Sequence, residues 1–431
     1  MYDPLLPLDR YLASDAERAL ASRIDALAED FLSRAPLHDA DGSFPHEDVD
    51  ALIAIGYQTL TLAREMGGQG ASLRLMLNLQ ERLAAGDPSL ALGMGWHLSL
   101  LLGLRSTGAW PAETFSRLAG AVINKGALVN SCASERETGS PSRGGRPTTV
   151  AQALRDGGYR ITGRKTWSTL SPRLTYFLVT ATLKDPDGTE DGRIGEFLVP
   201  ADTPGLEVEE TWNSMSLRAS GSHDVVLTGV EVGPEALVEA YTPPARSQRG
   251  LDGSGPLLHV AACYLGIGLR ARIEVVRFAL HHRPNSLLEP IAALAPVEES
   301  LGRIETALSA AHALVYEAAE DWDAADPAER PGLSARMGAA KVQAVDAAMM
   351  ACDLAMRIVG GQSLRRDLPF ERLYRDVRAG LHNPPMTELA LRSLGRRLFQ
   401  AARAREEGDL TPKTGGGASG TDQAFLRPGV R

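Results

Sequence analysis

Cysteine is scarce in this chain of 431 residues. Cys132, Cys263 and Cys352 stand far apart, without the spacing of a disulfide framework or of a zinc site. Basic charge is not in excess either. The formal net charge is −9 at pH 7, which argues against a nucleic-acid-binding role. No apolar run is long enough to span a bilayer, so no membrane association is expected. The opening stretch, MYDPLLPLDRYLASDAERAL, has no cationic segment leading into an apolar one, and it does not read as a secretory signal. The cytoplasm is the expected location. What is present is ordinary for a globular protein: 44% hydrophobic and 23% charged residues, in a chain long enough for two or three domains around a large core.

Three regions differ in pattern, followed by a tail. Residues 1–127 read as helical. AERALASRIDALAEDFLSRA carries apolar residues at helical spacing, and HEDVDALIAIGYQTL gives a second, short helix ending near Gly56. SLRLMLNLQERLAAGD follows the Gly-rich turn REMGGQGAS. PSLALGMGWHLSLLLGLRSTG is apolar around most of its surface, as an internal helix would be. Residues 128–240 change to short β-rich runs, GYRITGRKTW, TYFLVTATL, GEFLVPAD and HDVVLTGVEV, separated by turn clusters. That pattern predicts a small antiparallel β-barrel or sandwich. Residues 241–407 return to the helical period. Leu301, Ile304, Leu308, Ala311, Val315 and Ala318 form one stripe; Met337, Ala340, Ala344, Ala347, Ala351, Leu354 and Ile358 form another. Two such stripes predict a four-helix bundle. The Gly-rich, polar residues 408–431 predict a flexible tail. The fold class is thus α+β, mainly α.

Helices, then a small β domain, then a long bundle is an uncommon order. With its motifs, it resembles the acyl-CoA dehydrogenase superfamily from about residue 15 to residue 405. LAREMGGQGAS is similar to the family's turn between early helices. CASERETGS is similar to the segment opening the β domain, with Ser134, Glu135, Gly139 and Ser140 matching and Arg136 and Pro141 departing. YRITGRKTWSTLS resembles the strand and loop that meet the flavin. WNSMSLRASGSHDVVLTGVEV resembles the stretch into the last strand of the β domain. RIVGGQSLRRDLPFERLYRDVRAG resembles the C-terminal dinucleotide-binding turn and the helix after it.

The resemblance implies FAD, with FMN as the alternative, and no metal. A flavin needs a wall for its ring, donors and acceptors for its pyrimidine edge, and backbone N–H groups or Arg for its phosphates. Trp167 would pack on the ring, and Thr169 would address N5 or O4. Cys132 to Ser134 would face the pyrimidine side, and Ser140 would contact substrate. Arg283, in HHRPNS, would reach the pyrophosphate in a neighbouring subunit. Gly360 and Gly361 would admit the ADP half beside Arg357, which stands where the family often has Gln. A shared site implies a homotetramer or a homodimer. Taken singly, each residue also has a plain reading: Trp167 as core, Gly360 and Gly361 as a helix C-cap, Arg283 as a helix-end cation.

Desaturation of an acyl thioester needs a base for the α-proton while flavin N5 takes the β-hydride. Aligned on its Arg-Asp, the chain has Pro384 at the first position where the resemblance implies that carboxylate, and aligned on its Leu-Gly it has Pro256 near the second. Glu388 stands four residues past Pro384, about one helical turn. His382, in GLHNPP, resembles the His of the superfamily's flavin monooxygenases, which hydroxylate sulfur, nitrogen or aromatic carbon. In those enzymes a His and a loop Ser, here Ser168, stabilise a flavin C4a-hydroperoxide. His97, in GMGWHLSL, reads either as their second His or as a satisfied core histidine. His suits proton transfer near neutral pH. Three readings follow. The first is an acyl-CoA dehydrogenase-like oxidoreductase acting on acyl-CoA with an electron-transfer flavoprotein. The second is a two-component monooxygenase acting on another small molecule, its reduced flavin supplied by a flavin reductase. The third is a non-catalytic relative that binds flavin or acyl-CoA.

Overall fold

A computed structural model describes residues 8–138, 145–155, 157–243 and 252–409. Five helices come first: α1 (Asp15–Asp41), α2 (His46–Ala54), α3 (Leu73–Gly86), α4 (Pro88–Thr107) and α5 (Ala112–Lys125). Their starts obey local chemistry. Ser14 caps α1 by accepting from Glu17 N, and Asp87 caps α4 by accepting from Ser89 N and Leu90 N. The carboxylate of Asp323, far along the chain, accepts from Leu73 N and Arg74 N and fixes the start of α3 to the bundle. α4 is buried along nearly its whole length, as its all-round apolar sequence requires.

Eight strands follow: β1 (Val129–Cys132), β2 (Val150–Ala153), β3 (Tyr159–Ser168), β4 (Tyr176–Lys184), β5 (Glu190–Pro200), β6 (Leu206–Glu209), β7 (His223–Val232) and β8 (Leu237–Tyr241). They form one sheet in the order β6-β7-β3-β2-β4-β5-β8, with β1 also on β4. The sheet is not wholly antiparallel, as the sequence pattern predicted. β1 and β2 both run parallel to β4, β1 against Tyr176–Val179 and β2 against Thr182–Lys184. They therefore lie end to end along one edge of β4. The β2–β3 hairpin folds away and the chain comes back beside both strands, which makes the pairings parallel.

The bundle consists of α6 (His259–His281), α7 (Ala295–Ala324), α8 (Ser334–Val359) and α10 (Thr387–Asp409), with the short α9 (Phe370–Val377) packed on α6 and α8. Both stripes read from sequence face the core, α7 through Ile304, Leu308, Ala311 and Val315, and α8 through Met337, Ala340, Ala344 and Ala347. No helix among the described residues is long and apolar enough to cross a membrane. Ser140 and the tail lie outside the described residues, the tail from residue 410 onward.

A buried polar cluster joins α3 to α7. Glu81 accepts from His312 Nε2 and, at 3.0 Å, from the Tyr316 hydroxyl. His312 Nδ1 donates to Leu308 O at 2.7 Å, so both ring nitrogens carry protons. Tyr11 covers the cluster by stacking on Tyr316 at 3.8 Å between ring centroids. Burial opposes the imidazolium, but the Glu81 carboxylate outweighs it and raises the His312 pKa. The stability this contributes is full below the unfolded value of 6.5 and is lost as pH rises through the folded value. Glu81→Gln is expected to lower stability by about 3–5 kcal/mol below that pH. The deficit should shrink on the alkaline side in urea denaturation; an equal deficit at both pH values would contradict the pairing.

Candidate active site

β3 delivers the loop of interest through a bulge. Its pairing with β7 slips between Lys165 and Ser168, so Thr166 and Ser168 are buried while the ring between them turns out. Trp167 sits at φ 54°, in the left-handed region, with 56% of its surface exposed. Leu170 and Leu217 are left-handed as well. Such backbone costs on the order of 1–3 kcal/mol per residue and gathers at functional sites.

The residues before Trp167 hold it there. Lys165 and Glu135 are both fully buried, with Nζ 2.7 Å from Oε1. Glu135 also accepts from Thr148 N at 2.6 Å, Thr148 Oγ1 at 2.7 Å and Thr149 N at 3.0 Å. Burial pushes the carboxyl up, but Lys165 and these donors bring it down to about 2. Thr166 N donates to Ser134 O at 2.9 Å, tying the same two segments once more.

Beyond Trp167 lies a chain of hydroxyls. Thr169 Oγ1 is 2.9 Å from Ser222 Oγ, which is 2.8 Å from Ser220 Oγ. Asn130 Nδ2 donates to Thr169 O at 2.9 Å. The loop is joined to the bundle by the segment before β7: Leu217 N donates to Asp376 Oδ1 of α9 at 2.7 Å, and Ser216 Oγ donates to Asp376 O at 3.1 Å. Burial pushes the Asp376 carboxyl up to about 7. The structure thus ties α9 to the segment that leads into β7, and His382 lies in the turn that follows α9.

Two of the candidate residues lie inside the protein. Ser168 is fully buried with its hydroxyl beside the Cys132 thiol, which burial pushes up to about 11; the bulge turns Ser168 away from the surface that Trp167 occupies. His97 is also fully buried. Its Nε2 donates to Gln58 O at 2.9 Å and its Nδ1 accepts from Val129 N at 3.1 Å, so no ring nitrogen remains for a flavin. Burial drives its pKa down to about 4, and it serves to pin α4 to β1.

At the other end, His382 is exposed in the turn after α9. Glu388 is exposed in the first turn of α10. Arg283 follows α6, and Arg357, Gly360 and Gly361 end α8; Gln362 Nε2 lies 3.4 Å from His282 Nε2 and links the two helix ends. Gly360 has φ 69° and ψ −149°, a conformation open to glycine alone, and a Cβ on either glycine would meet no atom within 4 Å. Among the described residues, no hydrogen bond links this cluster to the Trp167 loop.

Sequence reading missed several residues. Ser220 and Ser222 complete the hydroxyl chain. His259, the first residue of α6, is fully buried against Gly95 and edge-on to Trp96 at 4.5 Å, and neither ring nitrogen has a hydrogen-bond partner among the described residues. Tyr264 and Lys341 hold the His382 turn. All lie in apolar or small-residue runs, where a lone polar side chain gives no periodic signal.

Glu135→Gln, which mimics the protonated acid, is expected to lose about 3–5 kcal/mol at neutral pH. A depressed acid contributes fully above its unfolded pKa of 4.5 and loses that contribution as pH falls toward about 2. The gap to the native protein should therefore narrow with acid in guanidinium denaturation. A gap that widens with acid would refute the pairing.

Models of three acyl-CoA dehydrogenase domains match the chain in order: the N-terminal domain at residues 14–109, the middle domain at 130–230 and the C-terminal domain at 258–384. YdbM of Bacillus subtilis (strain 168), provisionally assigned as an acyl-CoA dehydrogenase, is 43% identical over 391 residues, 91% of this chain and 99% of YdbM. L-evernosamine nitrososynthase of Micromonospora sp. is 30% identical over 388 residues, 88% of this chain and 87% of the relative. The crystal structure of TdsC from Paenibacillus sp. A11-2 with FMN and indole has a TM-score of 0.79 at 25% identity, covering 89% of this chain and 97% of TdsC. TdsC is named a dibenzothiophene monooxygenase. On the three domain matches and on its identity to YdbM, the chain belongs to the acyl-CoA dehydrogenase family.

Proposed function

We propose that this chain is a flavin-dependent monooxygenase of that family, working on a small molecule with a nucleophilic nitrogen, sulfur or aromatic carbon. The observation that carries the reading lies in the residues at the turn after α9. Pro384 and Pro256 stand where desaturation needs a carboxylate, and His382 is exposed two residues before Pro384. Relatives named as a nitrososynthase and as a dibenzothiophene monooxygenase support the same chemistry.

The described residues fit a flavin. An indole is displayed on left-handed backbone, Thr169 leads a hydroxyl chain, and an open two-glycine turn stands near Arg357 and Arg283. FAD is the family's cofactor, and FMN occupies TdsC. A bound reduced flavin, supplied by a separate reductase, would furnish the electrons that activate oxygen. Trp167 would wall the ring, and Thr169 would hold its polar edge. Gly360, Gly361 and Arg283 would take the phosphates of the cofactor, in a homodimer or homotetramer. His382 would hold a proton on the imidazole at the reactive edge. A second reading, α,β-desaturation of an acyl-CoA with electrons passed to an electron-transfer flavoprotein, is favoured by Glu388. Its carboxylate lies near enough to Lys341 to support the ammonium charge there.

The experiment mixes protein, reduced FMN and oxygen rapidly and follows peroxide release. The native protein is expected to delay release after oxygen is consumed. His382→Ala should shorten the delay by roughly a hundredfold or more, the usual scale of one positioned proton-transfer group. An unchanged delay in that variant would overturn the reading.

A further inference from the structure

The turn that carries His382 is pinned from beneath at two points, by side chains of two different helices. Lys341, on α8, is fully buried, and its Nζ donates to Gly380 O at 2.7 Å. Tyr264, on α6, is fully buried as well, and its hydroxyl accepts from Asn383 Nδ2 at 2.6 Å. Gly380 is wedged between the same helices: a Cβ there would lie 2.9 Å from Val345 and 3.2 Å from Tyr264. The backbone N–H groups of His382 and Asn383 both donate to Ala379 O, at 3.0 and 3.1 Å. The turn is therefore tied down on both sides of His382, at Gly380 and at Asn383, while its own imidazole is exposed.

A buried ammonium is an expensive way to hold one carbonyl. Burial lowers the Lys341 pKa to about 8, with Glu388 and Asp346 the charged groups that oppose the shift. An apolar side chain of similar length would fill the space with less desolvation. A core tyrosine that spends its hydroxyl on one loop amide is a similar case. Both bonds end within two residues of His382, on opposite sides of it, which is where a device for orienting that ring has to act.

We propose that Lys341 and Tyr264 are positioning residues that together fix the direction of the His382 imidazole at the reactive edge. The inference rests on the monooxygenase reading, because it assigns His382 the role that the pair serves.

The test uses full-length Tyr264→Phe, Lys341→Met, Lys341→Arg and His382→Ala, with each of the first two also combined with His382→Ala. Two quantities are read. One is the peroxide-release delay with reduced FMN. The other is hydrogen–deuterium exchange of the His382 and Asn383 amides in flavin-free protein. Tyr264→Phe and Lys341→Met are each expected to shorten the delay by about five- to tenfold, the worth of one hydrogen bond. They should also speed exchange at both amides, and Lys341→Arg should restore part of each effect. In the double variants the delay should be no shorter than in His382→Ala alone, because the residues act through His382. Losses that multiply in the double variants would overturn the proposal. So would a native delay in Tyr264→Phe, the variant least prone to misfold. If His382→Ala itself keeps the delay, the monooxygenase reading fails. The pinning of the turn is then judged on exchange alone: native exchange in Tyr264→Phe would overturn it, and faster exchange would uphold it.

Discussion

The ion pair between Glu135 and Lys165 is the constraint on which the rest of the site depends. Two charges with no exposed surface are tolerable only if every lone pair and proton finds a partner. Glu135 meets that demand with Lys165 and with donors from Thr148 and Thr149. The partners come from three places in the chain: the exit of β1, the approach to β2, and the last third of β3. Satisfying one carboxylate therefore closes the excursion between β1 and β2. That closure lets both strands lie end to end on β4. It also fixes β3 two residues before the bulge, and the bulge is what turns Trp167 outward on left-handed backbone.

α4 is the second organiser, because three of its positions meet three different parts of the molecule. A Cβ on Gly93 would lie 2.7 Å from Leu170 of the Trp167 loop, and one on Gly95 would lie 2.3 Å from His259 of α6. His97 bonds to backbone at Gln58 and at Val129. The missing side chains let the loop and the bundle approach the same helix. The histidine then fixes that helix to the start of the sheet. Through Asp376 and Leu217 the far end of the bundle is tied to the same region. The Trp167 loop and the turn that carries His382 are thus both tied to the same frame, although about 210 residues separate them in sequence.

Much of this was legible in the chain. The stripes of α7 and α8, the apolar α4 and the β-rich runs follow directly from periodicity, and the motif order gave the family. What was not legible depends on long-range return of the chain. Parallel pairing of β1 and β2 with β4 has no local signature, since strand direction is settled by connections and not by composition. The burial of Ser168 beside an exposed Trp167 follows from a one-residue slip, which inverts faces without changing the sequence pattern. His97 was open to two readings, and the backbone groups that occupy its nitrogens come from residues 39 and 32 positions away. Lys341 sits next to an alanine-rich stripe and gives no periodic signal of its own. Its Gly380 partner lies 39 residues on, beyond the reach of any helical period.

The monooxygenase reading dispenses with the carboxylate that desaturation of an acyl thioester requires. Its central claim is best tested by anaerobic mixing of the oxidised, flavin-loaded protein with acyl-CoA thioesters from short to long chain, watching the flavin absorbance. No thioester is expected to bleach the flavin. Bleaching by any one of them would contradict that reading and would return the chain to desaturation, with Glu388 as its base.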